Sequence, residues 1–524
     1  MKYQIKKLFS SVSLYILSLI SGVLMGLTVA PVGAWFLAWI ALAPLWVLIV
    51  KHSNQLEAKR RKFFLFPLFW GIGYHGLALF WITGIHPMDW LGVPWLASLA
   101  ITSFCLTFVT LWGAAIVVTW AALMGRFATQ KPLLRVLIGT AIWCALEGIW
   151  SAGALWWSSL SYTQSPHNLV ILHLGQLAGP STITAAIVAF NGLIAETWIH
   201  RQTSSSASLA SWRFINKYFA LAIALFISLH LIGFSLYNIP LSKTLEQALK
   251  IGIVQGNIPN IIKLKPEGLQ RAIAGYTNGY LTLADRGVDA VLTPEGALPF
   301  FQRDLSRTPI IAAVKEKGVV AWIGAFGERG RSYTNSLFTY TAKGEAFSRY
   351  DKTKLVPLGE YIPFEAILGQ IIQRLSPLDE HQVPGSPNQV FDTPFGRVIA
   401  GICYDSAFSY LFRQQAAAGG QFILSSSNDA HYTAAMPYQH HAQDIMRAIE
   451  TDRWSIRATN TGYSAFIDPH GRTLWISEYN TYQIHAETIY PRETQTLYVR
   501  WGDWLTPLLL VLSLLGWFVL GARG

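Results

Sequence analysis

Three cysteines in 524 residues are too few to frame a fold with disulfides. Cys105 and Cys144 lie inside long apolar runs, which leaves Cys403 alone in the long hydrophilic stretch that holds it. Charge is scarce as well: Asp, Glu, Lys and Arg make up 13% of the chain against 52% hydrophobic residues, a composition that excludes an ordinary soluble protein. Acidic residues are the rarer sign, 29 against 40 basic, for a net charge of +11. Much of that excess sits in short loops between apolar runs, where topology and anionic lipid account for it, so nucleic acid is not an expected partner. No internal repeat is evident, and ionisable residues within the apolar runs are too sparse for an ion path, which disfavours a transporter. No small-residue cleavage site follows the basic and apolar N-terminal stretch, which reads as an uncleaved first span. Gly324, Gly327, Gly330 and Gly344 lack the strand, glycine loop and helix context of a phosphate-binding loop and read as turns.

What is present is membrane-like. Crossing ~30 Å of hydrocarbon takes roughly 20 apolar residues. Such runs fall near 10–28, 31–50, 63–84, 94–123, 133–152, 168–198, 217–238 and 503–521, which gives eight expected spans. Lys2, Lys6 and Lys7 precede the first; Lys51, Lys59 and Lys62, then Arg126, Lys131 and Arg135, then Arg201, Arg213 and Lys217, and finally Arg523 follow the even-numbered ones. The alternate loops carry almost no basic residues, so both termini are expected in the cytoplasm, with the segment between spans seven and eight outside. Glu147 and Glu196 are expected near span ends, where interfacial water satisfies them. His75 reads as a packed, hydrogen-bonded residue, and the loop Ala154–Tyr162, with Trp156 and Trp157, as an aromatic belt or a lip for acyl chains.

The expected organisation is a transmembrane bundle over 1–240, an extracytoplasmic domain over 241–500 and a last span over 501–524. In the middle segment strand-like stretches recur at 251–255, 290–293, 319–324, 336–341, 398–403, 422–425, 464–467 and 496–499, with helical patterns at 266–286 and 438–453. Their alternation predicts an α/β layered domain.

Three stretches place polar groups at apparent strand ends: Leu292-Thr293-Pro294-Glu295-Gly296, Tyr350-Asp351-Lys352 running on to Glu360, and Gly401-Ile402-Cys403-Tyr404-Asp405. Each alone is weak, since Glu295 suits a surface turn, Lys352 a solvated charge and Cys403 a core position. Together they supply what thiol acyl transfer needs: a cysteine that attacks as thiolate, a carboxylate to take its proton, and a cation for the oxyanion.

These motifs resemble the Glu-Lys-Cys site of the nitrilase, or carbon–nitrogen hydrolase, superfamily. More narrowly, Val254-Gln255-Gly256-Asn257-Ile258-Pro259, Leu355-Val356-Pro357-Leu358-Gly359-Glu360-Tyr361-Ile362-Pro363, Ser427-Asn428-Asp429-Ala430 and Arg457-Ala458-Thr459-Asn460-Thr461-Gly462 resemble the apolipoprotein N-acyltransferase family. The resemblance implies a polytopic α-helical membrane bundle carrying an α/β nitrilase-like αββα sandwich, in the bacterial inner (cytoplasmic) membrane with the catalytic domain periplasmic. It implies a ping-pong acyl transfer from a phospholipid, phosphatidylethanolamine being the expected donor, to the α-amine of a diacylglyceryl-cysteine at an apolipoprotein N-terminus. Cys403 would be the nucleophile, Glu295 the base, Lys352 the oxyanion stabiliser and Glu360 a further carboxylate orienting Lys352 or relaying protons. Tyr404 and Asp405 would shape the nucleophile loop, and Trp156, Trp157, Asn428, Asp429 and Tyr432 would contact substrate. No cofactor and no metal are expected. The sequence departs from the family pattern at Leu264, Lys354, Asp405 and His431-Tyr432. A membrane-tethered amidase, in which water resolves the thioester, is the alternative enzyme; a non-enzymatic scaffold is the third reading.

Overall fold

The computed structural model describes residues 2–53, 60–203, 209–241, 245–357, 359–361 and 381–521. Lys59, Leu358, Ile362, Pro363 and Arg523 lie outside the described residues. Two compact units emerge: Met1–Ile82 with Ser103–Ile239 and Trp501–Gly524, and Pro240–Arg500 joined by Thr83–Thr102.

Among the described residues five helices are long and apolar enough to cross a membrane: Trp35–His52, Trp95–Arg126, Pro132–Ala152, Pro180–Arg201 and Lys217–Tyr237. Shorter apolar helices are Ser13–Gly26, Leu169–Ala178 and Leu505–Val519. The run 168–198 is not one helix: Leu169–Leu172 and Gly175–Ala178 precede Pro180–Thr203, broken where Gly179 takes a left-handed φ of +73° before a proline. Glycines let two helices meet backbone to backbone, since a Cβ on Gly22 would sit 2.1 Å from the Trp70 carbonyl oxygen.

Glu147 and Glu196 are not left to interfacial water. Glu196 is fully buried and pairs with Arg135, whose Nε donates to it at 2.7 Å and whose Nη2 makes a second bond, while Trp46 Nε1 adds a third at 3.1 Å. Glu147 accepts from Leu160 N–H (2.9 Å), Ser159 Oγ and Thr184 Oγ1 (2.8 Å each) and Trp143 Nε1 (3.2 Å). Both needed internal donors because helix packing had already excluded water. His75 is packed as expected, with Nδ1 2.8 Å from Ser158 Oγ.

The second unit holds thirteen described strands: β1 (Leu249–Gln255), β2 (Ala290–Leu292), β3 (Val320–Arg329), β4 (Ser332–Tyr340), β5 (Ala346–Asp351), β6 (His381–Gln382), β7 (Phe391–Thr393), β8 (Gly396–Ile402), β9 (Ile423–Ser427), β10 (Ser455–Thr459), β11 (Ala465–Ile467), β12 (Thr473–Ile476) and β13 (Gln483–Ile489). One sheet runs β13-β1-β2-β3-β4-β5 with β6 beside β4, the other β12-β11-β10-β9-β8-β7. At the centre of each, β1-β2-β3 and β8-β9-β10 are parallel.

Period-two alternation sorts the side chains into layers. Ile251, Ile253, Ala290, Leu292 and Trp322 of the first sheet pack against Val398, Ala400, Ile402, Leu424, Ile456 and Ala458 of the second. Val254, Val291, Ala321 and Ile323 point the other way, onto the helices Pro266–Asp285 and Pro309–Lys317. The helices Ser409–Ala417 and Ala435–Thr451 pack on the second sheet; a Cβ on Gly401 would meet the Phe412 ring at 2.6 Å, so glycine is required there. The order of layers is α, β, β, α. Residues 496–499, expected as a strand, instead enter the helix Leu497–Trp501, because Thr496 Oγ1 accepts the Val499 N–H at 3.1 Å and caps it.

Candidate active site

The carboxyl ends of parallel strands gather the chemical groups, as open α/β sheets do. Glu295 lies on the turn just beyond β2. That turn is pinned from both sheets: Thr293 N–H donates to the Trp322 carbonyl at 3.0 Å, and Ser426 Oγ to the Thr293 carbonyl at 3.0 Å. Gly324 lets the turn approach, since a Cβ there would lie 2.0 Å from the Pro294 carbonyl oxygen. Lys352 directly follows β5 and donates its N–H to the Asn335 carbonyl at 2.8 Å. Cys403 directly follows β8 at φ +50°, a left-handed conformation that non-glycine residues adopt only when their surroundings enforce it.

Glu295, Lys352 and Cys403 are all buried. Lys352 Nζ donates to Glu295 Oε1 at 2.9 Å and to Glu360 Oε1 at 2.7 Å. Asn335 Nδ2 donates to Glu295 Oε1 at 2.7 Å and the Asn428 N–H to Oε2 at 2.9 Å. Glu360 is oriented in turn by the Val356 N–H (2.7 Å) and Gln382 Nε2 (3.2 Å). Desolvation alone would push the Lys352 ammonium down; Glu295 and Glu360 reverse that and hold it well above its ordinary range. Burial, reinforced by the charge of Glu295, holds the Cys403 thiol well above its ordinary range, with Lys352 acting in the opposite direction. The resting nucleophile is therefore a thiol, which attacks only when a base removes its proton.

Asp405 ties the lysine and cysteine loops together. It is fully buried and accepts from Ile402 N–H (3.0 Å), Lys354 N–H (2.7 Å), Thr353 N–H (3.4 Å) and the Tyr350 hydroxyl (3.2 Å). Asp405→Asn would turn an NH₂ group toward those donors, so it should cost about 1–3 kcal/mol of stability and slow thioester formation tenfold or more, read by thermal unfolding and single-turnover acylation. Burial pushes the Asp405 carboxyl up to about 6, so its ionisation opposes folding as pH rises through that value. The stability margin of the unaltered protein over Asp405→Asn should accordingly shrink from about pH 4 to about pH 7.

Other expected site residues are placed more diversely. Tyr404 is buried with its ring against Phe408, centroids 5.0 Å apart. Asn428 offers both its N–H to Glu295 and its side-chain amide to Asn260 Oδ1 at 3.2 Å. Asp429 is fully buried on His440 and Arg457, an internal setting rather than a surface offered to substrate. Tyr432 is half-buried with its ring centroid 6.2 Å from that of His431, and desolvation, to which a Cys403 thiolate would add, raises its hydroxyl above the ordinary range. Trp156 and Trp157 fall in the apolar unit, where Trp156 is buried and the Trp157 ring packs 5.1 Å from that of Trp81.

Sequence reasoning gave no role to Lys263, Asn335, His440 or Arg457, although Arg457 opens one of the motifs that carry the resemblance. Lys263 Nζ reaches the Glu295 carbonyl at 3.3 Å; burial lowers its ammonium to about 8, with Glu295 and Cys403 acting the other way. Cys403, Asp429 and His440 offer donor atoms within 4.8 Å of one another, spacing that a metal ion could use. Their atoms are committed elsewhere, since Asp429 holds Arg457 and both His440 ring nitrogens face protein oxygens.

Two facing sheets with a buried thiol at a strand end, beside a carboxylate and an ammonium, define a nitrilase-like domain, and residues 250–493 match the carbon–nitrogen hydrolase family. Residues 21–193 match the apolipoprotein N-acyltransferase N-terminal domain. An apolipoprotein N-acyltransferase of Nostoc sp. is 69% identical over 493 residues, covering 94% of this chain and 97% of that one. Those of Synechocystis sp. and Thermosynechococcus vestitus are 48% and 42% identical, over 94% and 95% of this chain and 98% and 93% of theirs. The chain belongs to the apolipoprotein N-acyltransferase family.

Proposed function

We propose that this chain moves a fatty acyl group from a membrane phospholipid, through a thioester on Cys403, to the α-amine of the N-terminal S-diacylglyceryl-cysteine of apolipoproteins. The observation that carries the reading is a buried thiol on a left-handed elbow, acted on by the charge of an ammonium that two carboxylates hold in place.

Glu295 takes the thiol proton, and the sulfur attacks the ester carbonyl of the donor. The oxyanion forms beside the Lys352 ammonium, whose charge is already fixed before reaction. As the C–O bond breaks, Glu295 returns the proton to the leaving oxygen and lysophospholipid departs. The acceptor amine then attacks the thioester, Glu295 takes its proton, and the C–S bond breaks to restore the thiol. Glu360 keeps Lys352 oriented, Tyr404 and Asp405 hold the elbow, Asn428 and Tyr432 border the reacting carbonyl, and Trp156 and Trp157 receive acyl chains. Asp429 acts through His440 and Arg457. Phosphatidylethanolamine is the proposed donor.

Eight spans, cytoplasmic termini and a periplasmic domain over 241–500 in the bacterial inner membrane are the topology that the basic loops favour. The match to carbon–nitrogen hydrolases favours one second reading, an amidase in which water resolves the thioester.

Purified protein incubated with phosphatidylethanolamine should gain one acyl mass that is missing in Cys403→Ala. A protein that never carries the adduct would sink the ping-pong route. Transfer of the adduct to a synthetic diacylated lipopeptide supports the acyltransferase, whereas release to water alone supports the amidase.

A further inference from the structure

Beneath the nucleophile lies a fully buried ionic cluster that the acyl-transfer steps leave unused. His440 sits on the helix Ala435–Thr451 and is wholly buried, as are Asp429, Asp444 and Arg457. One of its nitrogens, Nε2, is 2.7 Å from the carbonyl oxygen of Cys403, and the other, Nδ1, is 3.2 Å from Asp429 Oδ1. Arg457 Nη2 donates to Asp429 Oδ2 at 3.0 Å, and Nη1 to Asp444 Oδ2 at 2.7 Å. Ser425 Oγ donates to Asp444 as well, at 2.8 Å.

A backbone carbonyl can only accept a hydrogen bond, and so can an ionised carboxylate. Against desolvation, which would raise them, the Arg457 guanidinium bonded to both holds Asp429 and Asp444 below the ordinary carboxylate range. With acceptors on both sides, each His440 nitrogen needs a hydrogen; a neutral ring would set one lone pair against an oxygen. Charge balance demands the same. One guanidinium against two carboxylates leaves a buried net negative charge, and an imidazolium cancels it.

We propose that His440 is a buried imidazolium, a positioning residue that grips the Cys403 carbonyl, keeps the elbow left-handed and offsets the carboxylates under the sulfur. The sulfur, a ring nitrogen of His440 and a carboxylate oxygen of Asp429 lie within 4.8 Å of one another. The titratable groups whose charges act with the thiol are Glu295, Lys352, Asp429, Glu360, Lys263, Tyr432 and Arg457; those that act with the ring are Asp429, Asp444 and His441, with Arg457 bonded to both carboxylates. The proposal rests on Cys403 being the nucleophile, but its first test reads a proton and not turnover.

In protein labelled with ¹⁵N-histidine at about pH 8, the signal absent from His440→Gln should be that of a ring with both nitrogens protonated. Asp429→Asn supplies a second assignment if His440→Gln does not fold, because removing that carboxylate's charge should turn the same signal neutral. Iodoacetamide alkylation at neutral pH, followed on the peptide bearing Cys403, should slow about tenfold in His440→Gln, the change expected for one unit of thiol pKa; in Asp429→Asn a carboxylate that raises the thiol and the imidazolium are lost together, so the rate should change little. A ring with one bare nitrogen in the unaltered protein overturns the proposal. So does an imidazolium whose loss in His440→Gln leaves alkylation unchanged.

Discussion

Glu295→Gln should fold, bind lipid and form the Cys403 thioester roughly 10²–10⁴-fold more slowly in a single turnover, the usual worth of a positioned general base. The reason is the thiol itself: burial, the largest cause, holds it protonated, and losing the Glu295 charge relieves only the smaller cause while removing the proton acceptor. Gln keeps an oxygen for Lys352 and Asn335 but turns an NH₂ toward the Asn428 N–H, where Glu295 Oε2 had accepted at 2.9 Å. A modest loss of thermal stability should therefore accompany the kinetic one. Near-normal acylation by this variant would remove Glu295 from its role as base.

Lys352→Met should lose about 10²–10³-fold in thioester formation through the oxyanion alone. It should also disturb its neighbours, because the ammonium is what separates Glu295 from Glu360 in a site that excludes water. Without it two carboxylates face each other, and one will take up a proton. Lys352→Arg should not restore the rate, since the planar guanidinium cannot place its donors where a tetrahedral ammonium reaches both carboxylates. Single-turnover acylation of both variants checks this; a fully active Arg variant would mean that charge alone suffices.

The parts of this architecture that were readable from sequence are those where local chemistry and tertiary role coincide. Strand-like runs ending on Glu295 and Cys403 were legible because β2 and β8 are buried on both faces and read as unbroken apolar stretches. Helix Ala435–Thr451 was legible from apolar residues spaced three and four apart. Strand β10 was not, because it carries Arg457 in its middle, and a charge there argues for a surface until Asp429 and Asp444 are seen beside it. Strand β13, Gln483–Ile489, is half-buried along nearly its whole length and so shows no apolar alternation. The triad could be found by chemistry and resemblance. Asn335 and His440 could not, since an asparagine in a strand and a histidine in a helix signal nothing until the chain folds their partners against them.

The Arg135–Glu196 pair has a consequence for how the protein reaches its membrane. The two residues sit on different helices, Pro132–Ala152 and Pro180–Thr203, and the first leaves the ribosome well before the second. A lone arginine or glutamate costs kilocalories when it enters hydrocarbon. Arg135 sits in the first turn of its helix, at the basic end of the span, where it can stay solvated until Glu196 is in place. The ion pair then joins the two helices with no net charge left buried between them.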